Sequence, residues 1–512
     1  MAVHAHTSDF RVGAWAVVGI AIAFVPIVIA AIPPLADYPN HLARVHILSN
    51  LPRVPELAAY YRDVTSAQPN LAFDFVVGLL SRVMPLETAG KAFLALTILA
   101  MVGGTYALHR ALHARASVWP FLSLLFVYNR LFLWGFVAYL FTLGCALAAC
   151  AGWVALRGQP VIRLIAATVL ATLLYLGHLY AFGVYALCIA GYELTVLWDR
   201  RRDLRRALAA AAMAAVQFAP AVYLFLFVSP TSGAAGATEW GPMWRKVAAP
   251  LNLLHNYHLA FDAACLALLA AVVLVGLLRR NLTFNRFMAA PLALLSITFL
   301  LMPDELFSSY GADKRLPIAI ALVAIAASEW RAWSRLTAVA LAALFVVRVA
   351  LIAEVWAQSN GVYSNYLAAI DRVPYGAKLL VVVAHPSQIS LPPIPAFEIA
   401  NLAIVYRRAF VPSLFTFPRE AGQAVAFSPD MQNLVKATPY HIVRPDDLTL
   451  LNDPDYARRA GPFRPELVSQ YDCVLIINGR HLPIPPPDGE PLYEGPDVVL
   501  LKVNGVYAEQ AS

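Results

Sequence analysis

The sequence predicts a polytopic α-helical membrane protein of about eleven spans, carrying a C-terminal extracytoplasmic α/β domain. Three observations predict it. Of the 512 residues, 60% are apolar and 13% charged, with a mean hydropathy of +0.64. Soluble domains average about 45–50% apolar and about 25% charged, and core volume grows too slowly with length to hide such a surplus. Apolar stretches recur at the ~20-residue length that crosses a bilayer. The charge is also divided: residues 1–357 carry 26 Lys and Arg against 16 Asp and Glu, whereas 358–512 carry 12 against 15. A soluble enzyme is excluded. Nucleic-acid binding is disfavoured, because the net charge of +7 belongs to the membrane part, where cytoplasmic loops collect Lys and Arg.

Taken in order, the uncharged run from Val12 to Ala36 is too long for the apolar core of a signal peptide and reads as a retained first span. Segments of spanning length follow: 12–34, 92–111, 133–156, 180–198, 207–228, 259–278 and 336–357, with shorter ones at 118–129, 161–177, 287–303 and 315–329. With eleven spans, Arg11, Arg110, Arg115, Arg157, Arg163, the Arg200–Arg206 cluster, Arg279, Arg280, Arg286, Arg331 and Arg335 fall on one side. That side is then cytoplasmic and holds the N-terminus. Residues 71–86 are apolar but contain Asp74 and Arg82, and a full span there would invert every later loop. They read as an interfacial or re-entrant helix on the outer face. The 118–129 and 133–156 segments read as a hairpin joined at Tyr128-Asn129-Arg130.

Two regions fall outside: the first loop, 35–91, and the tail, 358–512, set apart from a membrane domain at 1–357. The tail holds apolar runs at 378–385, 472–479 and 497–503, the pattern of buried parallel strands. Pro-rich pieces at 392–395 and 483–487 read as loops. The five cysteines show neither disulfide nor metal spacing, and no Gly-rich phosphate motif is visible.

The residues suited to chemistry lie at the outer face. In PPLADYPNHLARVH (33–46), Asp37 precedes a helix on which His41 and Arg44 share a face. Asp37 there is placed to take a proton from an acceptor hydroxyl, with His41 and Arg44 holding a phosphate or the acceptor. The structural alternative has Asp37 and Asn40 capping the helix while Arg44 reaches the headgroups. In Asp313-Lys314-Arg315-Leu316-Pro317, Lys314 and Arg315 either grip a lipid phosphate or anchor a helix end. His178 and Tyr180 occupy a tight outer turn, and Asn129 and Arg130 the hairpin tip, as further substrate contacts or as local caps. Asp74, the pair Asp304 and Glu305, and the pair His255 and His258 read as structural.

An N-terminal span, an acidic residue opening a long first outer loop, many further spans and an outward soluble domain together resemble the GT-C superfamily of membrane glycosyltransferases. The family includes protein O-mannosyltransferases and lipid A aminoarabinose transferases. The resemblance covers the membrane part in layout, and residues 33–46 and 313–317 in motif. It implies a polyprenyl-phosphate sugar donor, Asp37 as catalytic base, and Lys314 and Arg315 at the lipid phosphate. It further implies a glycan, lipid or protein acceptor in the cell envelope, and a home in the cytoplasmic membrane with the tail periplasmic. Tyr38 and Pro39 follow Asp37 where many members place a second acid, so no metal ligands are assigned and a divalent metal is left open. The rival reading is a transporter or flippase of a lipid-linked or amphipathic substrate, without covalent chemistry.

Overall fold

The computed structural model describes residues 2–199, 201–230, 238–306, 309–330, 334–383, 396–417, 422–436, 469–477 and 489–503. It is mostly helical. Helices run as α1 (Ala2–Ile29), α2 (Tyr38–Asn50), α3 (Pro55–Tyr60), α4 (Ala72–Leu80), α5 (Leu86–His113), α6 (Arg130–Trp134), α7 (Val137–Ala155), α8 (Pro160–Gly177) and α9 (Leu179–Asp199). They continue as α10 (Leu204–Val216), α11 (Ala219–Tyr223), α12 (Met243–Ala248), α13 (Leu259–Leu278), α14 (Ala289–Leu301), α15 (Leu316–Ala327), α16 (Arg335–Ile370), α17 (Leu402–Arg407) and α18 (Pro429–Lys436). The chain divides into two compact units. Unit 1 comprises residues 1–29, 66–76 and 91–353; unit 2 comprises 30–65, 77–90 and 354–512.

Among the described residues, seven helices are long and apolar enough to cross a membrane, or eight if the bent pair formed by 208–216 and 219–228 is one span. Their apolar outer faces, exposed at Val17, Val28, Ile165, Leu173 and Leu274, suit acyl chains rather than water. This is the architecture of a multi-pass membrane protein. The eleven expected segments are therefore not eleven long helices. Residues 119–126 form a 3-10 helix, not the first arm of a helical hairpin. Pro120 removes a backbone donor there, and eight residues at ~2 Å each rise only ~16 Å. The stretch from Trp119 to Trp134 instead lies antiparallel to α15. Trp119 Nε1 donates to Ile325 O (3.2 Å) and Ser328 Oγ (2.9 Å), while the Trp134 ring lies 6.1 Å from that of Tyr310. Tyr128 donates to Ala23 O on α1 at 2.6 Å. Irregular backbone at membrane depth is tolerated only where protein covers it, and most of residues 119–133 are buried. Helix α4 has nine residues, ~13 Å at 1.5 Å each and too short to cross.

Unit 1 packs its helices backbone to backbone where glycine permits. A Cβ on Gly104 would lie 2.1 Å from Gly144 O, and one on Gly144 2.2 Å from Ala100 C, so α5 and α7 meet without side chains between them. Two ion pairs lie inside the helices. Arg163 (α8) binds Glu193 (α9) at 2.8 Å, and Trp153 (α7) donates to the same carboxylate oxygen at 2.8 Å. Asp262 (α13) pairs with Arg348 (α16), which also donates to Leu254 O at 2.7 Å.

Unit 2 holds a four-stranded sheet of β6 (Leu379–Val383), β8 (Cys473–Ile477), β9 (Gly489–Glu494) and β10 (Val498–Val503), ordered β6-β8-β10-β9. The three apolar runs are strands, as their sequence implies. β6 and β8 are parallel. β10 is antiparallel to β8, a departure from the all-parallel expectation, because the short β9–β10 hairpin returns the chain directly. A separate two-stranded sheet joins the first loop to the tail, β1 (Tyr61–Asp63) pairing with β7 (Val425–Phe427), while in unit 1 β2 (Leu282–Phe284) pairs with β5 (Ser328–Trp330) and β3 (Glu305–Leu306) with β4 (Ser309–Tyr310). The Pro-rich pieces at 392–395 and 483–487 lie outside the described residues.

Breaking the Arg163–Glu193 pair leaves a buried guanidinium uncompensated. Glu193→Leu should lower stability by ~3–5 kcal/mol, read as a lower thermal midpoint in detergent. Arg163→Leu combined with Glu193→Leu should recover much of that loss.

Candidate functional site: the 33–46 motif and the Lys314–Arg315 turn

Helix α2 begins where Pro33 O, Leu35 O and Asp37 O accept bonds from Leu35, Tyr38 and His41 amides in succession. Pro39 sits in the first turn, where its missing N–H costs nothing. Asp37 is the N-cap residue by position, yet its side chain makes no capping bond. Throughout residues 32–45 every side chain is buried except that of Asp37, which is partly exposed.

The face beneath it is held by the tail. His41 and Arg44 meet as their spacing predicts, with Arg44 Nη2 3.1 Å from His41 Nδ1. Arg44 has no exposed surface and also donates to Gln423. Asn40 donates to Glu398 Oε2 at 2.9 Å and accepts from the Phe415 amide at 3.2 Å. Asn401 binds the same Glu398 oxygen. The capping and headgroup-reaching alternative therefore fails at all three residues. Asn40 and Arg44 look inward because their partners come from unit 2 itself, and a buried guanidinium must be satisfied. Glu398 and Gln423 were not visible as candidates, lying 358 and 379 residues from Asn40 and Arg44.

The other candidates lie in unit 1. Lys314 and Arg315 belong to a 3-10 turn, 313–315, that opens α15. Lys314 Nζ binds Asp304 Oδ1 at 2.6 Å, lies 3.8 Å from the Tyr310 ring centre and 6.0 Å from that of Trp134. Arg315 is buried, its guanidinium 4.4 Å from the Phe136 ring and 4.6 Å from the Tyr180 ring, and it donates to Tyr310 O at 2.7 Å. His178 and Tyr180 join it: the two rings are 5.8 Å apart, and Tyr180 donates to Leu306 O at 3.1 Å. Burial, then the nearby Arg315 charge, hold the His178 pKa well below its ordinary value, so the imidazole is neutral.

Asn129 is a cap. Its Oδ1 accepts from the Leu131 and Phe132 amides at 2.9 and 3.1 Å, and its amide donates to Phe126 O at 2.8 Å. Arg130 differs. Its guanidinium lies 5.6 Å from the Trp134 ring, and its hydrogen-bond partner is Asn256 O at 3.5 Å. Among the described residues no carboxylate pairs with it. Arg130 and Lys314 thus share one indole, that of Trp134.

Among the described residues no three His, Cys, Asp or Glu side chains gather as a metal site. Asp304 is taken by Lys314 and Arg245, and Asp262, beside His255 and His258 in sequence, by Arg348. Asp74 lies partly buried in the first turn of α4. No protein-family model matches the chain, and neither curated proteins nor solved structures give a match.

Burial of α2 has a titratable consequence. Burial first, then the Arg408 charge, push the His46 pKa from 6.5 down to about 4. Because the folded value is the lower one, the unfolded chain binds the extra proton between pH 6.5 and 4. Stability then falls as pH drops through that window. Going from pH 7 to 5 should cost ~1–2 kcal/mol through this residue. His46→Gln should flatten that part of the pH dependence of the denaturant midpoint.

Proposed function

We propose that this chain is a GT-C-like glycosyltransferase that moves a sugar from a polyprenyl-phosphate donor to a hydroxyl of a cell-envelope acceptor, at the outer face of the cytoplasmic membrane. The observation that carries the reading is Asp37: a carboxylate that reaches the surface from a stretch otherwise wholly buried. A side chain fixed on a rigid helix start, and not spent on capping, is suited to general-base work.

In the proposed step Asp37 accepts the proton of the acceptor hydroxyl as that oxygen bonds to the anomeric carbon of the sugar. The bond from that carbon to the lipid-phosphate oxygen breaks, and the phosphate leaves with the electron pair. Inversion at the anomeric carbon follows from a single displacement. Within unit 1, Arg130, which has no carboxylate partner among the described residues, lies beside Lys314 and is suited to binding a lipid phosphate. His178, Tyr180 and Arg315 form a packed cation–aromatic support rather than a direct contact in this reading.

The layout is proposed with eleven crossings: the seven long helices, the bent pair, α14, α15, and the broken segment 119–134 alongside α15. The N-terminus is then cytoplasmic and the tail periplasmic, from the side on which the arginines collect.

A transporter is the second reading, favoured by the ionisable pairs Arg163–Glu193 and Asp262–Arg348 inside helices. Purified protein given a labelled polyprenyl-phosphate sugar and cell-envelope extract separates the two. The transferase should label the extract covalently, whereas a transporter should only move the donor across vesicles. Asp37→Asn should abolish transfer with an unchanged thermal midpoint, and full transfer by that variant overturns the assignment. Arg130→Gln should raise the KM for donor by about tenfold or more, the worth of a hydrogen bond to a charged group.

A further inference from the structure

The stretch around α12 has a lopsided surface. Met243, Trp244 and Val247 of α12 are 63%, 67% and 79% exposed, at spacings of one and four that keep them on one face of the helix, and Trp240, in the extended chain just before it, is 66% exposed. The other side is fastened. Lys246 is buried, and its ammonium donates to Phe299 O (3.0 Å), Met302 O (2.6 Å) and Asp313 Oδ2 (3.0 Å). The chain just before α12 is tied as well, since Glu239 and Glu305 exchange backbone hydrogen bonds at 3.0 and 3.1 Å. Two tryptophans, a methionine and a valine are therefore held outward by a rigid base. A soluble protein would not keep such a patch facing water.

The base lies at the end of a membrane-facing helix. Lys246 binds the carbonyls that close α14, whose Ile297, Leu300 and Leu301 are 52%, 53% and 66% exposed. The patch also carries charge of both signs: Arg245, 48% exposed and 3.4 Å from Asp304, and the exposed Glu239. Tryptophan is enriched where hydrocarbon meets headgroups, because the indole is apolar in body and polar at one edge. A zwitterionic headgroup matches the rest: its phosphate suits Arg245, and its quaternary ammonium suits an indole face.

We propose that residues 240–247 lie in the membrane interface and bind zwitterionic phospholipid headgroups, with Trp240 and Trp244 at headgroup depth and Arg245 on a lipid phosphate. This does not depend on the transferase reading. A lipid-facing surface of this kind also fixes the depth at which the nearby cations, Lys314 above all through its shared partner Asp304, stand relative to the bilayer.

The test uses the full chain in phosphatidylcholine vesicles, with Val247→Cys carrying an environment-sensitive fluorophore. Four of the five native cysteines are buried and the fifth partly so, and wild type treated identically supplies the background. The label should be quenched more strongly by a nitroxide near the lipid headgroup than by one deep in the acyl chain, and only weakly by aqueous iodide. Trp240→Gln with Trp244→Gln, on the labelled protein, should cut the lipid quenching severalfold and raise iodide quenching, at an unchanged thermal midpoint. Full iodide quenching with no lipid quenching overturns the proposal. So does strongest quenching by the deep nitroxide, which would bury the segment in hydrocarbon. Lipid quenching unaffected by the double substitution overturns the role of the tryptophans.

Discussion

The burial of the Arg44 guanidinium governs the architecture of unit 2. A guanidinium without exposed surface must have every donor answered, or its desolvation is paid against the fold. His41, one helical turn back, answers one part, and Gln423, from the far end of the chain, another. Asn40 and Glu398 repeat the arrangement a turn earlier. Residues 30–65 of the first loop and the described tail are consequently one folded body, knitted further by the β1–β7 pairing and by Tyr61, whose hydroxyl lies between Ala409 O and the Val411 amide. Asp37 stands partly exposed just ahead of these clamped turns.

Unit 1 obeys a different constraint. Without water to satisfy it, backbone within a bilayer must be helical or covered by protein. The 3-10 stretch 119–126 departs from the α-helix and is correspondingly enclosed, touched by α15 at Trp119, with α1 touching Tyr128 just after it. Its irregularity has a use: it ends at the Asn129 cap, and Gly135, with φ of +94°, turns the chain after α6. Arg130 and Trp134 are thereby presented on a single short turn, beside Tyr310 and Lys314.

How much of this could be read from residues alone varied with distance along the chain. Local signals did well. The i, i+3 spacing of His41 and Arg44 correctly brought their side chains together, and three apolar runs correctly marked β6, β8 and β10. β9 escaped because GEPLYE mixes polar residues with a proline, which an edge strand tolerates and a central one does not. The direction of β10 was also hidden, since an apolar run reports burial and not polarity. Long-range pairing left no trace. Glu398 and Gln423 stand in unremarkable sequence, and nothing near Asn40 points to partners more than three hundred residues away. Span counting fell between these cases: hydropathy located α15 and the 119–134 segment, but Pro120 and short length made them unlike ordinary spans.

The buried ion pairs bear on the choice between a transferase and a carrier. A proton or ion relay needs an ionisable group whose partners can change during the cycle, so a member with spare hydrogen-bonding capacity is expected. Arg163 instead divides its donors between Glu193 and Trp153 O, while Trp153 Nε1 holds the same carboxylate. Asp262 uses one oxygen for Arg348 and the other for the Asn256 amide. Both pairs bind helix to helix or helix to loop, and moving either would strand a charge at membrane depth. Groups committed in this way serve as struts. Asp37, by contrast, is partly exposed at the start of a helix whose next turns are buried, and chemistry on a substrate hydroxyl asks for a carboxylate so mounted.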